Sequence, residues 1–466
     1  MLLLQTLGLL AVHALSWLAV CHALLNKRDP RSALGWSAAS LLLPGVGPLL
    51  YAIFGISRAE RRGSKIVRRF VHEEDGDCRE IPAERLPEGV AHMELPGHRL
   101  TRRPLSEGNA LTPLFNGDEA YPAMLKAIEQ AKRHVFLVTY IFNDGVVGAA
   151  FAASLSAAAA RGVDVRVLVD GVGMLYSWNK PWKKLSEHGV RTATFLPPRL
   201  FPPSFAVNLR NHRKMLICDE IAFTGGMNIS DNNLQNARKN CVQDMHFTCT
   251  GPIVGQLRHA FLRNWSFARN EDDFSSFESP PQAGKSLCRV VMDGPTTDTD
   301  VLNDLFCGVI NAARRSIRIM TPYFLPSRDL VSSLRSAAHR GVDVRVVVPA
   351  ENNLPFVHWA MLRLLPALLE AGVRVWMRPK PFAHTKLLVI DGRYSQIGSA
   401  NLDARSLRLN FELNMEVFDV SLYEKLTGHV DGVIEQSREI TLAGLKGQSL
   451  PVRLRNAACW VFSPYL

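Results

Sequence analysis

The chain has 466 residues, enough for two or three domains with sizeable cores, and its 47% apolar content leaves no part disordered on composition alone. Fifty-four Lys and Arg against 43 Asp and Glu give a net charge of +11, which fits an anionic partner: a membrane surface, a phosphorylated substrate or nucleic acid. Eight cysteines with no C-x-x-C pair exclude a metal-ligand spacing and, at this length, a disulfide framework; they read as small buried apolar residues in a reducing compartment.

Residues 1–25 carry no Asp, Glu, Lys or Arg, and neither do residues 32–57. Each run exceeds the roughly 20 residues that cross a bilayer. A cleaved signal peptide would need a basic start and an A-x-A site, which the first run lacks. The second run is broken by Pro44-Gly45-Val46-Gly47-Pro48, which either kinks a spanning helix or makes a re-entrant turn. Arg58, Arg61, Arg62, Lys65, Arg68 and Arg69 follow it, which places that flank in the cytoplasm; Lys27, Arg28 and Arg31 in the connector pull the other way. The expectation is a multi-pass anchor of two membrane segments (about 2–25 and 32–57) with the bulk of the chain cytoplasmic.

Residues 58–105 read as a linker: behind the basic cluster, Glu73 to Pro104 is acidic and then rich in Pro and Gly, with little periodicity. Regular structure follows: a helix over 120–132, a strand over 135–142, an Ala-rich helix over 149–161 ending at Gly162, and a strand over 163–169. These elements recur. Arg161-Gly162-Val163-Asp164-Val165-Arg166-Val167 matches Arg340-Gly341-Val342-Asp343-Val344-Arg345-Val346 at an offset of 179. The chain is therefore a duplication of an α/β unit: repeat 1 over 106–273, a Ser- and Pro-rich joint over 274–286, and repeat 2 over 287–444. The tail at 445–466 mixes Leu450, Leu454, Trp460 and Phe462 with Arg453 and Arg455. It either lies on a membrane interface or packs on repeat 2.

Each repeat carries one chemical motif. His212-Arg213-Lys214 leads through an apolar run to Asp219, a turn at Asp219-Glu220, then Gly225-Gly226 and Asn228. His384-Thr385-Lys386 leads to Asp391-Gly392, then Gly398-Ser399 and Asn401, at an offset of 172. On a strand, His and Lys two residues apart share a face. One H-x-K-x4-D is a weak signal; two copies, each with Gly-Gly or Gly-Ser and Asn behind, are a strong one.

A pseudo-two-fold axis would bring both His-Lys pairs to one cleft. Lys214, Lys386, Asn228, Asn401, Ser399 and the backbone at Gly226 then suit a phosphoryl group. One imidazole can attack phosphorus and form a phosphohistidine while the other moves the proton. The lysines neutralise the developing charge, so no metal or other cofactor is expected. A nucleophilic imidazole needs orienting by a carboxylate, and Asp244 and Glu412 are assigned that task. Asp219 and Asp391, candidate catalysts by their place in the motif, sit at turns and read better as holders of the hairpin.

The paired motif resembles the phospholipase D superfamily. The second copy fits its longer pattern through His384, Lys386, Asp391, Gly398, Ser399, Asn401, Asp403, Arg405, Ser406, Asn410 and Glu412; the first fits through Gly225, Gly226, Asn228, Ser230 and Asp231. Leu43-Pro44-Gly45-Val46-Gly47, Tyr51-Ala52-Ile53-Phe54-Gly55, Leu114-Phe115-Asn116-Gly117 and Thr321-Pro322-Tyr323-Phe324-Leu325-Pro326 are similar to the membrane-anchored bacterial cardiolipin synthases. The resemblance covers about 105–440 and implies two tandem α/β/α sandwich repeats. It implies transfer of a phosphatidyl group from one phosphatidylglycerol to another in a bacterial inner membrane, with His212 as nucleophile and His384 as acid and base. The partners it implies are phospholipids, phosphatidylglycerol and cardiolipin. The rival readings are a phospholipase D-type hydrolase, another phosphatidyltransferase, a non-catalytic lipid-binding scaffold and a membrane-anchored nuclease. No nucleic acid is expected, because no stripe of basic and aromatic residues is present.

Overall fold

The computed structural model describes residues 2–27, 29–56, 86–87, 89–176, 184–197, 209–235, 241–271, 277–294 and 300–463. The basic cluster at 58–69, the linker as far as 85, the start of the joint and Cys78 lie outside the described residues. The chain divides into two compact units, Met1–Arg62 and Gly63–Leu466.

The first unit contains helices α1 (Leu2–Asn26), α2 (Pro30–Leu42) and α3 (Val46–Leu50), and a π-helical turn, Tyr51–Gly55. Among the described residues α1 is the one helix long and apolar enough to cross a bilayer. The second apolar run turns back at its Pro-Gly break instead of continuing as a kinked spanning helix. Asp29 caps α2 through the Arg31 amide, with Pro30 at the first helical position, and α2 stops after 13 residues. That is about 20 Å, short of the roughly 30 Å hydrocarbon layer. Pro44 removes a helical donor, and Gly45 turns the chain at φ +83°. The chain then folds back against α2 so closely that a β-carbon on Gly47 would lie 2.1 Å from the Ala39 carbonyl oxygen. Tyr51 is buried here, its hydroxyl 2.8 Å from His22 Nδ1.

The second unit is built on one sheet. Its strands are β1 (Ser106–Phe115), β2 (His134–Thr139), β3 (Asp164–Asp170), β4 (Arg191–Phe195), β5 (Met215–Cys218), β6 (Ile221–Gly225), β7 (Val242–Gln243), β8 (Met245–Thr250), β9 (Ser286–Asp293), β10 (Ser316–Met320), β11 (Asp343–Pro349), β12 (Arg374–Arg378), β13 (Phe382–Ala383), β14 (Leu387–Ile390), β15 (Tyr394–Gly398), β16 (Glu412–Phe418) and β17 (Arg438–Glu439). Its helices are α4 (Ala91–Thr101), α5 (Asn116–Gln130), α6 (Val146–Ala160), α7 (Ile253–Arg269), α8 (Val301–Ala312), α9 (Arg328–His339), α10 (Pro355–Leu369), α11 (Ala404–Arg408), α12 (Val420–Glu435), α13 (Leu442–Lys446) and α14 (Leu450–Val461).

Fifteen strands run in the order β17-β12-β11-β10-β14-β15-β16-β9-β1-β8-β6-β5-β2-β3-β4; β7 and β13 pair separately. Leaving β17 aside, the order reads the same from both ends toward the β9–β1 seam, so the duplication becomes a pseudo-two-fold through that antiparallel pair. The matched Arg-Gly-Val-Asp stretches do the same work in each half. Gly162 and Gly341 end α6 and α9 at φ +85° and +86°. Arg161 and Arg340 reach back to the carbonyls of Ile128 and Ile310 at the ends of α5 and α8. Each half has its own apolar core.

One expectation needs correction, and one alternative left open is decided. The region expected as linker contains α4, which Pro96 and Gly97 obscure in the sequence. Packing overrides propensity there: Val90 and Met93 enter the repeat 2 core, Pro96 lies against Gly308, and Glu94 pairs with buried Arg289. The tail, left open between membrane interface and repeat 2, packs on repeat 2 by setting α14 against α10. Of the described cysteines, Cys218, Cys249 and Cys288 are buried, while Cys21 on α1 is exposed.

Candidate active site

The two histidines sit just ahead of strands rather than within them. The segment from Asn211 pairs with β6 only from Met215, because earlier amides go elsewhere. Asn211 N–H donates to the Asp170 carboxylate at 2.8 Å, and His212 N–H donates to the Phe411 carbonyl at 2.9 Å. In repeat 2, His384 N–H donates to the Gln243 carbonyl at 2.7 Å. Each histidine is thus bound, through its own backbone, to the residue preceding the other repeat's carboxylate.

The side chains repeat this crossing. His212 Nδ1 lies 3.1 Å from Glu412, and His384 Nδ1 lies 2.8 Å from Asp244. Both carboxylates are fully buried, while the imidazoles keep 14% and 16% of their side-chain surface exposed. An Nδ1–H donated to a carboxylate leaves Nε2 as the free lone pair. Asp244 and Glu412 therefore orient the imidazoles across the seam, not within their own repeats.

Lys214 Nζ donates to the His212 carbonyl and lies 5.7 Å from the centre of the Tyr140 ring. Lys386 Nζ donates to the His384 carbonyl and lies 2.9 Å from its Nδ1. Burial lowers both ammonium groups, Lys214 to about 7 and Lys386 to about 8, and Lys386 adds like-charge repulsion at Lys214. Burial and Lys386 push His384 down to about 4, and burial likewise lowers His212. Burial alone would raise Asp244 and Glu412. The facing histidine and lysines more than offset it, so both carboxyl groups are held below their ordinary values. Asp244 and Lys386 both act on Lys214 although they belong to different motifs, as expected of one shared cleft.

Other residues of the motif divide by position. Ser399 Oγ donates to Glu412 and accepts from Leu413 N–H at 3.0 Å, so it steadies a carboxylate. At the equivalent place in repeat 1, a β-carbon on Gly226 would lie 2.4 Å from Asp244 Oδ1, so Asp244 needs glycine there. Asn228 accepts from Ile141 N–H at 3.1 Å. Asn401 donates to Ser406 Oγ at 3.1 Å, and its buried Oδ1 has no partner among the described residues.

Asp219 and Asp391 are placed away from the histidines, at the far ends of β5 and β14. Asp219 accepts from the amides of Lys132, Arg133 and His134, and Asp391 from those of Arg314, Arg315 and Ser316. Both hold the start of the neighbouring strand at left-handed turns (φ +50° and +52°). The second turn has three residues, Asp391-Gly392-Arg393, since Ile390 pairs with Tyr394.

Sequence reading missed three supports. Arg213, between His212 and Lys214, is buried and donates to the carbonyls of Glu412 and Asp293 and to Asn264 Oδ1. Asp170 holds the backbone at Asn211. Tyr140 and Tyr323, just beyond β2 and β10, set their rings 5.4 and 6.3 Å from His212 and His384. Their matching places in the two repeats were the available signal.

A family model described as "Cardiolipin synthase, PLD-like domain" matches residues 124–265 and 306–434, and "Phospholipase_D-nuclease N-terminal" matches 14–55. The chain is 31% identical over 456 residues to a cardiolipin synthase of Alkalihalophilus pseudofirmus, covering 95% of this chain and 90% of that one. It is 28% identical over 468 residues to the major cardiolipin synthase ClsA of Bacillus subtilis, covering 96% of each. The crystal structure of a phosphatidylserine synthase from Haemophilus influenzae shares the fold at TM-score 0.64 and 16% identity, over 80% of this chain and all of that one.

Proposed function

Because the chain belongs to the phospholipase D-like cardiolipin synthase family, we propose that it transfers a phosphatidyl group between two phosphatidylglycerol molecules through a phosphohistidine. The observation that carries the mechanism is the crossed pairing: two imidazoles, each with Nδ1 held by a buried carboxylate. Nε2 of His212 attacks phosphorus, and the bond to the glycerol oxygen breaks. His384 gives that oxygen its proton, and glycerol leaves. His384 then takes the proton of the second lipid's hydroxyl, whose oxygen attacks phosphorus and breaks the P–N bond. Cardiolipin leaves and His212 is restored. Lys214 and Lys386 carry the charge of the phosphoryl oxygens throughout. The bound phosphodiester brings a negative charge that opposes both lysines. The imidazolium that protonates glycerol thus forms in the complex, although the empty site disfavours it.

Localisation follows from the substrates. We place α1 in a bacterial inner membrane, the broken second run completing the anchor, and the second unit on the cytoplasmic side. Incubating the full chain with phosphatidylglycerol labelled in its headgroup glycerol should yield cardiolipin and free glycerol in equal amounts. Phosphatidic acid as the sole lipid product would make the protein a hydrolase instead.

The lysines predict a pH dependence. Each is useful only when protonated, and the free enzyme loses those protons near 7 and 8. The value of kcat/KM, which reports the free enzyme, should fall more steeply as pH rises through that range, where the His384 proton is already scarce. Lys214→Arg and Lys386→Arg keep the charge and each removes one titration, so any activity retained by Lys214→Arg should show only the step near 8, and by Lys386→Arg only the step near 7. An unchanged limb in both would assign it to another group.

A further inference from the structure

The last helix packs on repeat 2 with one side and leaves the other open. Arg455 lies over Trp359 at 4.2 Å and Arg363 over Trp460 at 5.7 Å, which fixes α14 alongside α10 in parallel. At 100° per residue, Leu450, Leu454, Ala458 and Val461 form one outward stripe, continued by Phe462. Leu450, Leu454, Val461 and Phe462 are 60–66% exposed. Leu354 and Phe356, at the start of α10, are 47% and 60% exposed.

The charge on this surface has one sign. Neither α10 nor α14 contains an Asp or Glu, while Arg363, Arg453 and Arg455 are all exposed. The flanking acids are paired: Glu351 with Lys380 at 2.8 Å and Glu370 with Lys446 at 3.0 Å. Exposed leucines and aromatics among arginines, with tryptophans between, match an anionic bilayer surface. A protein partner able to cover the same surface would have to supply both apolar area and acidic groups.

The surface also adjoins the site. Tyr323, whose ring faces His384, donates its hydroxyl to Asn353 Oδ1 at 2.9 Å, and Leu354 follows directly. The pseudo-two-fold supplies a counterpart: Leu175, at the 179-residue offset from Leu354, is 70% exposed after β3. Both repeats thus raise an uncovered leucine beyond equivalent strands, β3 and β11.

We infer that the α10–α14 face docks on the anionic bilayer that holds the substrate, a contact separate from the α1 anchor, which sets the mouth of the cleft at the lipid surface. The inference rests on the lipid-substrate reading above. Apolar side chains at 354, 356, 450 and 454 enter the headgroup layer, and the arginines meet lipid phosphates.

The test uses the full chain reconstituted in vesicles of phosphatidylglycerol and phosphatidylethanolamine. A benzophenone amino acid at position 454 should capture lipid roughly tenfold more than the same group at position 424, an exposed site on α12. The double variant Phe356→Glu, Leu454→Glu should lose roughly tenfold in transfer on vesicles, yet match the unsubstituted protein on short-chain phosphatidylglycerol below its micelle concentration. Equal capture at 454 and 424, or equal loss on both substrates, would overturn the docking surface. Capture at 454 by a chain that makes no cardiolipin would leave the docking standing and remove the proposed reaction instead.

Discussion

His212→Ala and His384→Ala are each expected to lower phosphatidyl transfer at least about 10⁴-fold, the scale on which groups acting as a unit are lost. The two variants should fail differently. Without His212, no covalent intermediate forms, and phosphatidylglycerol labelled at phosphorus leaves no label on the protein after a rapid quench. Without His384, attack on phosphorus is slowed by the missing acid, and any adduct formed persists because no base activates the second hydroxyl. Label retained by His384→Ala and absent from His212→Ala assigns the nucleophile. The reverse pattern would exchange the two roles while keeping the site. Full transfer by either variant would remove the two-histidine mechanism. Both side chains are largely enclosed and each partners a buried carboxylate, so a lowered unfolding midpoint should accompany each loss, and transfer is compared on folded protein.

The second large effect comes from the crossed carboxylates. Glu412→Gln should impair His212, and Asp244→Asn should impair His384, each by about 10³-fold, because an amide at Nδ1 no longer sets the tautomer that leaves Nε2 free. If His212 is the nucleophile, Glu412→Gln lowers the rate of adduct formation. Asp244→Asn slows adduct formation through the acid and also slows transfer to the second lipid, so adduct that does form persists. Quench measurements separate the two steps. Should each substitution instead phenocopy loss of the histidine in its own repeat, the cross-seam assignment would fall.

Much of the site was legible because it is written twice. His, Lys, Asp and the glycine-containing ends recur at nearly constant offset, and the need of a neutral imidazole for a carboxylate led to Asp244 and Glu412. The direction of pairing was not legible. It depends on β8 and β16 flanking the β9–β1 seam, which brings residues 200 apart (His212 and Glu412) into contact. Local patterning carries no trace of that. Asp219 and Asp391 show the reverse case: their turn chemistry was readable, and their carboxylates are spent on three backbone amides each. One element escaped: in α4, Pro96 and Gly97 oppose helix, yet the core claims Val90 and Met93. The break after α2 was legible in Pro44 and Gly45, and what it does to the second apolar run was not.

The crossing also fixes when the enzyme can come alive. A chain emerging from the ribosome exposes His212 and Asp244 early, but neither has its partner. His384 arrives after most of the chain has been made, and Glu412 later still. Repeat 1 can assemble its own core while His212 still lacks Glu412, so in a half-finished polypeptide that imidazole stays unoriented until β16 pairs with β9.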